Sequence, residues 1–267
     1  MHPPDQERAA PVLAGFDPET GIGRLTFNRP DVLNAIDVPT ARALHDGVYA
    51  LVAEPGLRCI VLAGAGRAFV AGGDIAAFAA DPARTVDELL QALHPAILAL
   101  RATPAPVIAV VQGAAAGAGL SLVLGADLVI ASDQARFVIA YDRVGASPDC
   151  GGTWFLPRKV GRAKAFEMML LGQALDAAAA QTAGIVSVVA PAAELDQRAD
   201  ELARRIAAGP TGAYGRFKRL VDDALAAPLD QHLEAERRAF LASTATADFQ
   251  EGVAAFIAKR DPVFKGI

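Results

Sequence analysis

Short runs of β-branched and aliphatic residues alternate with longer amphipathic stretches over roughly the first 190 residues of the chain, the pattern of a layered α/β fold. The apolar runs predict strands over 23–28, 58–63, 107–111, 128–131 and 185–189. Residues 12–16 pair with the first as a hairpin across Asp17-Pro18-Glu19-Thr20-Gly21. Apolar positions at helical spacing predict helices over 38–54, 85–102, 117–125, 161–171 and 176–183, with Asp37 and Thr85 offering N-cap oxygens.

Beyond residue 192 the strand pattern stops. Helical patterns cover 193–208, 211–226, 229–242 and 245–259, punctuated by Gly209-Pro210 and Pro228. The chain thus divides into an α/β core over 1–190 and a helical region over 191–267. A helical region of roughly 70 residues is too thin to bury its apolar faces alone, so it is expected to pack on something else.

The stretch 107–130 is apolar enough to be mistaken for a membrane span, but Gln112, Ser121, Asp127 and four glycines interrupt it. Its β-branched ends and small-residue middle read as strand, turn with helix, strand. The start, Met1-His2-Pro3-Pro4-Asp5-Gln6-Glu7-Arg8, lacks a basic region followed by an apolar run, so no secretory signal and no membrane association are expected, and the expected location is cytoplasmic.

Composition sharpens this picture. At 53% hydrophobic and 21% charged the chain can bury a large core, and at 6% aromatic that core is built mainly from Ala, Val, Leu and Ile. Lys+Arg 25 against Asp+Glu 30 gives a net charge of −5, which argues against a nucleic-acid binder. Cys59 and Cys150 are too few for a disulfide framework, and the histidines (2, 45, 94, 232) stand alone, so no metal is expected.

Three segments can carry chemistry. Arg67–Ile75, containing Ala71-Gly72-Gly73-Asp74, follows a predicted strand, and its small side chains leave backbone N–H groups open to a ligand oxygen. Gln112–Ser121 again runs from strand through a small-residue turn into a helix, whose N-terminus offers unpaired donors suited to a developing oxyanion. In Tyr141–Trp154, Asp149 stands between Pro148 and a Gly-Gly pair, a carboxylate on a turn able to act as general acid or base. Each has a plainer structural reading: a glycine turn, close helix packing, a capping aspartate. Neither glycine segment is a dinucleotide fingerprint, Ser121 fails the Gly-x-Ser-x-Gly elbow, and there is no Walker lysine.

In order and spacing these segments resemble the enoyl-CoA hydratase/isomerase (crotonase) family. The resemblance runs from Leu25-Thr26-Phe27-Asn28-Arg29-Pro30 through Ala68–Ile75, Gly113–Leu122, Gly151-Gly152-Thr153, Leu171-Gly172-Gln173 and Ala183-Gly184-Ile185-Val186 to Lys259–Gly266. It implies a ββα spiral with a helical C-terminal region that mediates trimers, often stacked as dimers of trimers. It also implies an acyl-CoA thioester substrate, with coenzyme A part of the substrate and no separate cofactor. By the same resemblance Gly73 and Ala118 supply the oxyanion hole, while Arg29, Val32, Ala71, Asp74 and Ile75 follow the CoA arm. Lys259, Phe264 and Lys265 are implied near its phosphates or adenine.

The sequence departs from the family's hydratases where two catalytic glutamates are expected. Those positions hold Ser121 and Tyr141, neither of which is a base near neutral pH. Asp149 occupies the place where some family isomerases carry a single catalytic carboxylate. The expectation is therefore an isomerase that moves a double bond through an oxyanion-stabilised enolate, with Asp149 as proton shuttle. The alternatives are a hydratase using Asp149 with water, and a catalytically silent acyl-CoA-binding protein.

Overall fold

The computed structural model describes residues 10–267; Met1–Arg8 lies outside them. Two sheets build the core. The larger has the order β1-β2-β3-β5-β7-β10, from β1 (Val12–Asp17), β2 (Ile22–Phe27), β3 (Cys59–Gly64), β5 (Val107–Val111), β7 (Leu128–Ser132) and β10 (Val188–Ala190). The first pair is the expected hairpin, and the remaining pairings are parallel. The smaller sheet, β4 (Ala68–Val70), β6 (Ala114–Ala116), β8 (Arg136–Val138) and β9 (Leu175–Asp176), is absent from the sequence expectation.

The central strands are apolar on both faces because both faces are covered. From β3 and β5, Ile60, Leu62, Val107, Ala109 and Val111 point into the main core, against α1 (Val38–Val52) and α3 (Pro82–Ala102). The alternate residues Cys59, Val61, Ile108 and Val110 point the other way, onto Leu195, Ala199, Ala203 and Ala207 of α7 (Leu195–Ala207). This alternation is the period-2 geometry of a strand read on two sides. Arg24 of β2 holds α7 in place through Asp200, 2.7 Å away.

Several boundaries differ from expectation. Asp81, not Thr85, caps α3, accepting the Arg84 N–H at 3.2 Å, and Pro82 starts the helix where its missing N–H costs nothing. The helix expected over 161–171 is α5 (Gly152–Leu170), broken at Gly161 by a non-helical φ of 78°. The last strand is 188–190, because Ile185 and Val186 instead close the turn after α6 (Ala177–Thr182). The apolar stretch 107–130 is β5, β6, α4 (Ala118–Gly125) and the start of β7. No described helix is long and apolar enough to cross a membrane.

α8 (Thr211–Ala224), α9 (Leu229–Thr244) and α10 (Ala247–Ala258) complete the chain. α9 buries no residue, and Phe217, Leu225, Leu233, Phe240 and Phe256 stand exposed on this helical region.

One contact sets the distance between α4 and the small sheet. A Cβ on Gly119 would lie 2.1 Å from the Val70 carbonyl oxygen, so only glycine lets α4 lie against β4. Gly119→Ala is expected to destabilise the protein by about 1–3 kcal/mol, the range for overpacking. Gly15→Ala in β1, where nothing lies within 4 Å, is the neutral control. Urea unfolding of both variants checks this.

Candidate active site

Three loops meet at the carboxyl ends of β4, β6 and β8. The first is held by Asn34, fully buried with a left-handed φ of 59°. Its side-chain amide donates to the carbonyls of Ala65, Ala68 and Phe69 at 2.9–3.0 Å, and its oxygen accepts the Arg29 N–H at 2.8 Å. This ties the 29–36 loop to β4. Beyond it the Ile36 N–H donates to Gly72 O at 2.8 Å, and the Asp74 N–H donates to Ile36 O at 2.9 Å. Those bonds flank Gly73, whose own N–H finds no acceptor among the described residues.

The second loop is the turn Ala116-Gly117 at the start of α4. Gly117 has φ 52° and ψ −124°, and no side chain caps the helix. The Ala118 N–H, first of the helix, also has no protein acceptor among the described residues. The two turns touch: a Cβ on Gly117 would lie 3.5 Å from the Gly72 Cα. Two unengaged backbone donors, Gly73 and Ala118, are thereby brought together, one of them at a helix N-terminus where the dipole favours negative charge.

The third loop supplies side chains. Ala140 and Cys150 both hold left-handed φ, 64° and 51°, beside Tyr141 and Asp149. Such strain in non-glycine residues collects at functional sites. The Tyr141 hydroxyl donates to Asp149 Oδ1 in a short hydrogen bond. Burial first, and then the negative charge of Asp149, push the Tyr141 phenol well above its ordinary range. A Cβ on Gly117 would lie 3.9 Å from Tyr141 Cζ, so Tyr141 spans from the Gly117 turn to the carboxylate. Ser121, buried one helical turn into α4, abuts Gly152 at the start of α5 and bonds back to Gly117 O at 3.4 Å.

A cavity of about 240 Å³ opens here, with Ser121, Tyr141, Pro148, Leu156, Arg162 and Phe166 in its wall. No Asp or Glu lines it among the described residues; Asp149 reaches it through Tyr141. A larger cavity of about 410 Å³ on the other side of α5 contains the ion pairs of Arg101 and Lys218 with Asp127, but none of the three loops.

Of the residues implied along the CoA arm, Arg29, Ala71, Asp74 and Ile75 adjoin Gly73, and Val32 is exposed on the same loop. The Arg29 guanidinium is already engaged, donating to Ala35 O at 2.5 Å and lying 3.1 and 3.2 Å from Asp37 and Asp74. Lys259, Phe264 and Lys265 sit on the C-terminal tail, whose hydrogen bonds run to Asp248, Glu251 and Arg58, none of them a residue of the cavity.

Comparison with known proteins places this arrangement. A family model described as enoyl-CoA hydratase/isomerase matches residues 17–267. The chain belongs to the enoyl-CoA hydratase/isomerase family. The 1,2-epoxyphenylacetyl-CoA isomerase of Escherichia coli K12 is 40% identical over 93% of this chain and 96% of its own length. A protein named probable enoyl-CoA hydratase from Rhodobacter capsulatus is 37% identical over 94% and 97%. A crystal structure of an enoyl-CoA hydratase from Polaromonas sp. JS666 superposes with a TM-score of 0.88 at 34% identity, covering 95% of this chain and 99% of that one. The fold is the crotonase fold of this family, and the protein is an enzyme of the family.

Sequence reasoning missed the first half of α5 as a wall of the cavity: Gly152, Thr153, Leu156 and Pro157 line it ahead of the Gly161 break, where the helix is expected to begin, while Arg162, Phe166 and Met169 line it from beyond the break. The Gly151-Gly152 pair was the available signal: Gly151, with φ 80°, is the N-cap of α5.

Cys150 lies directly behind Asp149, and burial, aided by that carboxylate, pushes its thiol up strongly. Burial pushes Cys59 up to about 12. Raised values keep both groups as unreactive thiols at neutral and mildly basic pH. The folded protein is expected to leave Ellman's reagent unreacted at pH 8, and both thiols to titrate once it is unfolded.

Proposed function

We propose that this protein is an acyl-CoA isomerase that moves a double bond, with Asp149 as its proton shuttle. The observation that carries the reading is that one carboxylate, Asp149, adjoins a site whose other two candidate positions, Ser121 and Tyr141, hold hydroxyls. The thioester oxygen accepts hydrogen bonds from the Gly73 and Ala118 amides. Asp149 takes a proton from C2 of a 3-enoyl thioester; the C2–H electron pair delocalises into the thioester as a dienolate, whose negative oxygen the two amides stabilise. Asp149 returns the proton at C4, the double bond ends between C2 and C3, and the carboxylate is regenerated. Ser121 and Tyr141 shape and polarise the acyl pocket. Coenzyme A enters and leaves as part of the substrate, its arm passing Arg29, Val32, Ala71, Asp74 and Ile75.

The 40% identical relative is named 1,2-epoxyphenylacetyl-CoA isomerase, which supports isomerisation of a CoA thioester as the reaction class, as does the cost of the alternative. Hydration needs a group that activates water and another that protonates carbon, and this site offers one carboxylate for both.

The test follows conjugation and hydration separately, with 3-enoyl-CoA and 2-enoyl-CoA as substrates. Wild type is expected to isomerise, and Asp149→Asn to lose about 10²- to 10⁴-fold in kcat, the usual worth of a general base. Hydration without isomerisation would establish the hydratase reading, and binding without turnover the silent one. An Asp149→Asn variant as active as wild type would remove the shuttle role.

Assembly as a trimer, or a dimer of trimers, is part of the same reading. Exposed apolar side chains on α8–α10, among them Phe217, Leu233, Phe240 and Phe256, are the surface such assembly would cover. Light scattering is expected to return a trimeric or hexameric mass, and Phe240→Asp to shift it toward the single chain.

A further inference from the structure

We propose that Tyr141 is the positioning residue for the base: its hydroxyl holds Oδ1 of Asp149 and leaves Oδ2 as the one oxygen that accepts and returns the substrate proton. This rests on the reading of Asp149 as the shuttle. The Tyr141 hydroxyl donates to Asp149 Oδ1; the other donor beside the carboxylate is the thiol of Cys150, a weak one. Backbone geometry holds both partners. The left-handed Ala140 precedes Tyr141, and Asp149 is followed by two left-handed residues, Cys150 and Gly151, with its carbonyl accepting the Gly152 N–H at 2.8 Å. The end of the tyrosine ring lies beside the Gly117 turn, 3.9 Å from where a Cβ on Gly117 would stand. The carboxylate is therefore set in relation to the oxyanion turn by a rigid aromatic spacer.

The chemistry follows from which group keeps its proton. The phenol is held far above its ordinary range by burial and by the carboxylate it serves, so it remains protonated throughout and never takes the substrate proton. A free carboxylate can rotate and exchange its two oxygens during the enolate's lifetime, exposing the transferred proton to water. With Oδ1 tied, the oxygen that removes the C2 proton is the one that delivers it to C4. Transfer is then confined to one face of the acyl chain and is largely internal. Ser121, buried on the turn of α4 beneath this pair, has no acidic or basic part in the step.

Two measurements test the assignment on the intact protein. In the first, Tyr141→Phe is assayed with 3-enoyl-CoA in deuterium oxide. The expected result is a kcat lower by about 10- to 100-fold, the scale of a displaced catalytic group, a KM within about twofold of wild type, and a clear rise in solvent deuterium at C4. In the second, the three tyrosines are titrated by ultraviolet absorbance in wild type and Asp149→Asn. One phenol is expected to fall toward the ordinary range in the variant, because the charge and hydrogen bond that raised it are gone. This arm needs no turnover and does not depend on Tyr141→Phe folding.

A Tyr141→Phe enzyme with wild-type kcat and deuterium content overturns the proposal. So does one that loses stability and kcat with its deuterium content unmoved, which is the mark of a space-filling ring. Tyrosine titrations identical in wild type and Asp149→Asn overturn it as well. If wild type isomerises and Asp149→Asn does not, any of these failures falls on Tyr141 alone. If wild type moves no double bond, or Asp149→Asn is fully active, the shuttle reading fails and this proposal falls with it.

Discussion

The site depends on two backbones touching where no side chain intervenes. α4 lies on β4 because Gly119 has no Cβ to strike the Val70 carbonyl, and a Cβ on Gly113 would fall 2.0 Å from the Arg67 carbonyl at the base of the same turn. These approaches bring the end of β4 beside the start of α4, and with them the unengaged amides of Gly73 and Ala118. A single methylene at either position would push the turns apart, and close-packed interiors transmit such a displacement rather than absorb it.

Around that contact the protein places hydrogen bonds that hold loops and leaves others unmade. Asn34 and Gln112 converge on the same segment, Gln112 donating to Gly64 O and Ala68 O at 2.7 Å. The loops are thus fixed by side-chain amides, while the Gly73 and Ala118 amides at the touching turns keep their donors free. Away from bulk solvent, a donor beside a developing negative charge is worth more than in solution and needs no reorganisation when the charge forms. Burial accounts for the hindered ionisation of Tyr141 and Cys150 beside Asp149. One carboxylate thus sits beside two groups that keep their protons.

How much of this was legible in the residues follows from the length scale of each signal. The long parallel strands announce themselves because Val107–Val111 and its neighbours are buried on both faces. The strands β4, β6 and β8 are three residues each, and β6 is Ala114-Ala115-Ala116, which carries neither alternation nor β-branching. Their pairing comes from the packing of α4 and not from local preference. The cap of α3 was misplaced because Asp81-Pro82 and Thr85 both offer start signals four residues apart, and the proline decides in favour of the earlier one. Gly161 reads as a helix start in the sequence but is a break within one, with a φ of 78°.

The sequence alone determined the α/β class, the family likeness, and the identity of the groups that can do chemistry. The glycine turns, Asp149 and the hydroxyl residues Ser121 and Tyr141 are matters of residue type and order. Tertiary structure decided which of these groups meet. Gly73 and Ala118 lie 45 positions apart in the chain, and no local pattern says that their turns touch. Nor does any say that Tyr141 is held against Gly117 and bonded to Asp149, or that Arg29 is engaged by Asp37 and Asp74. Residue identity sets what a group can do, but distance and burial set what it faces, and those arise only when the strands and α4 close on one another.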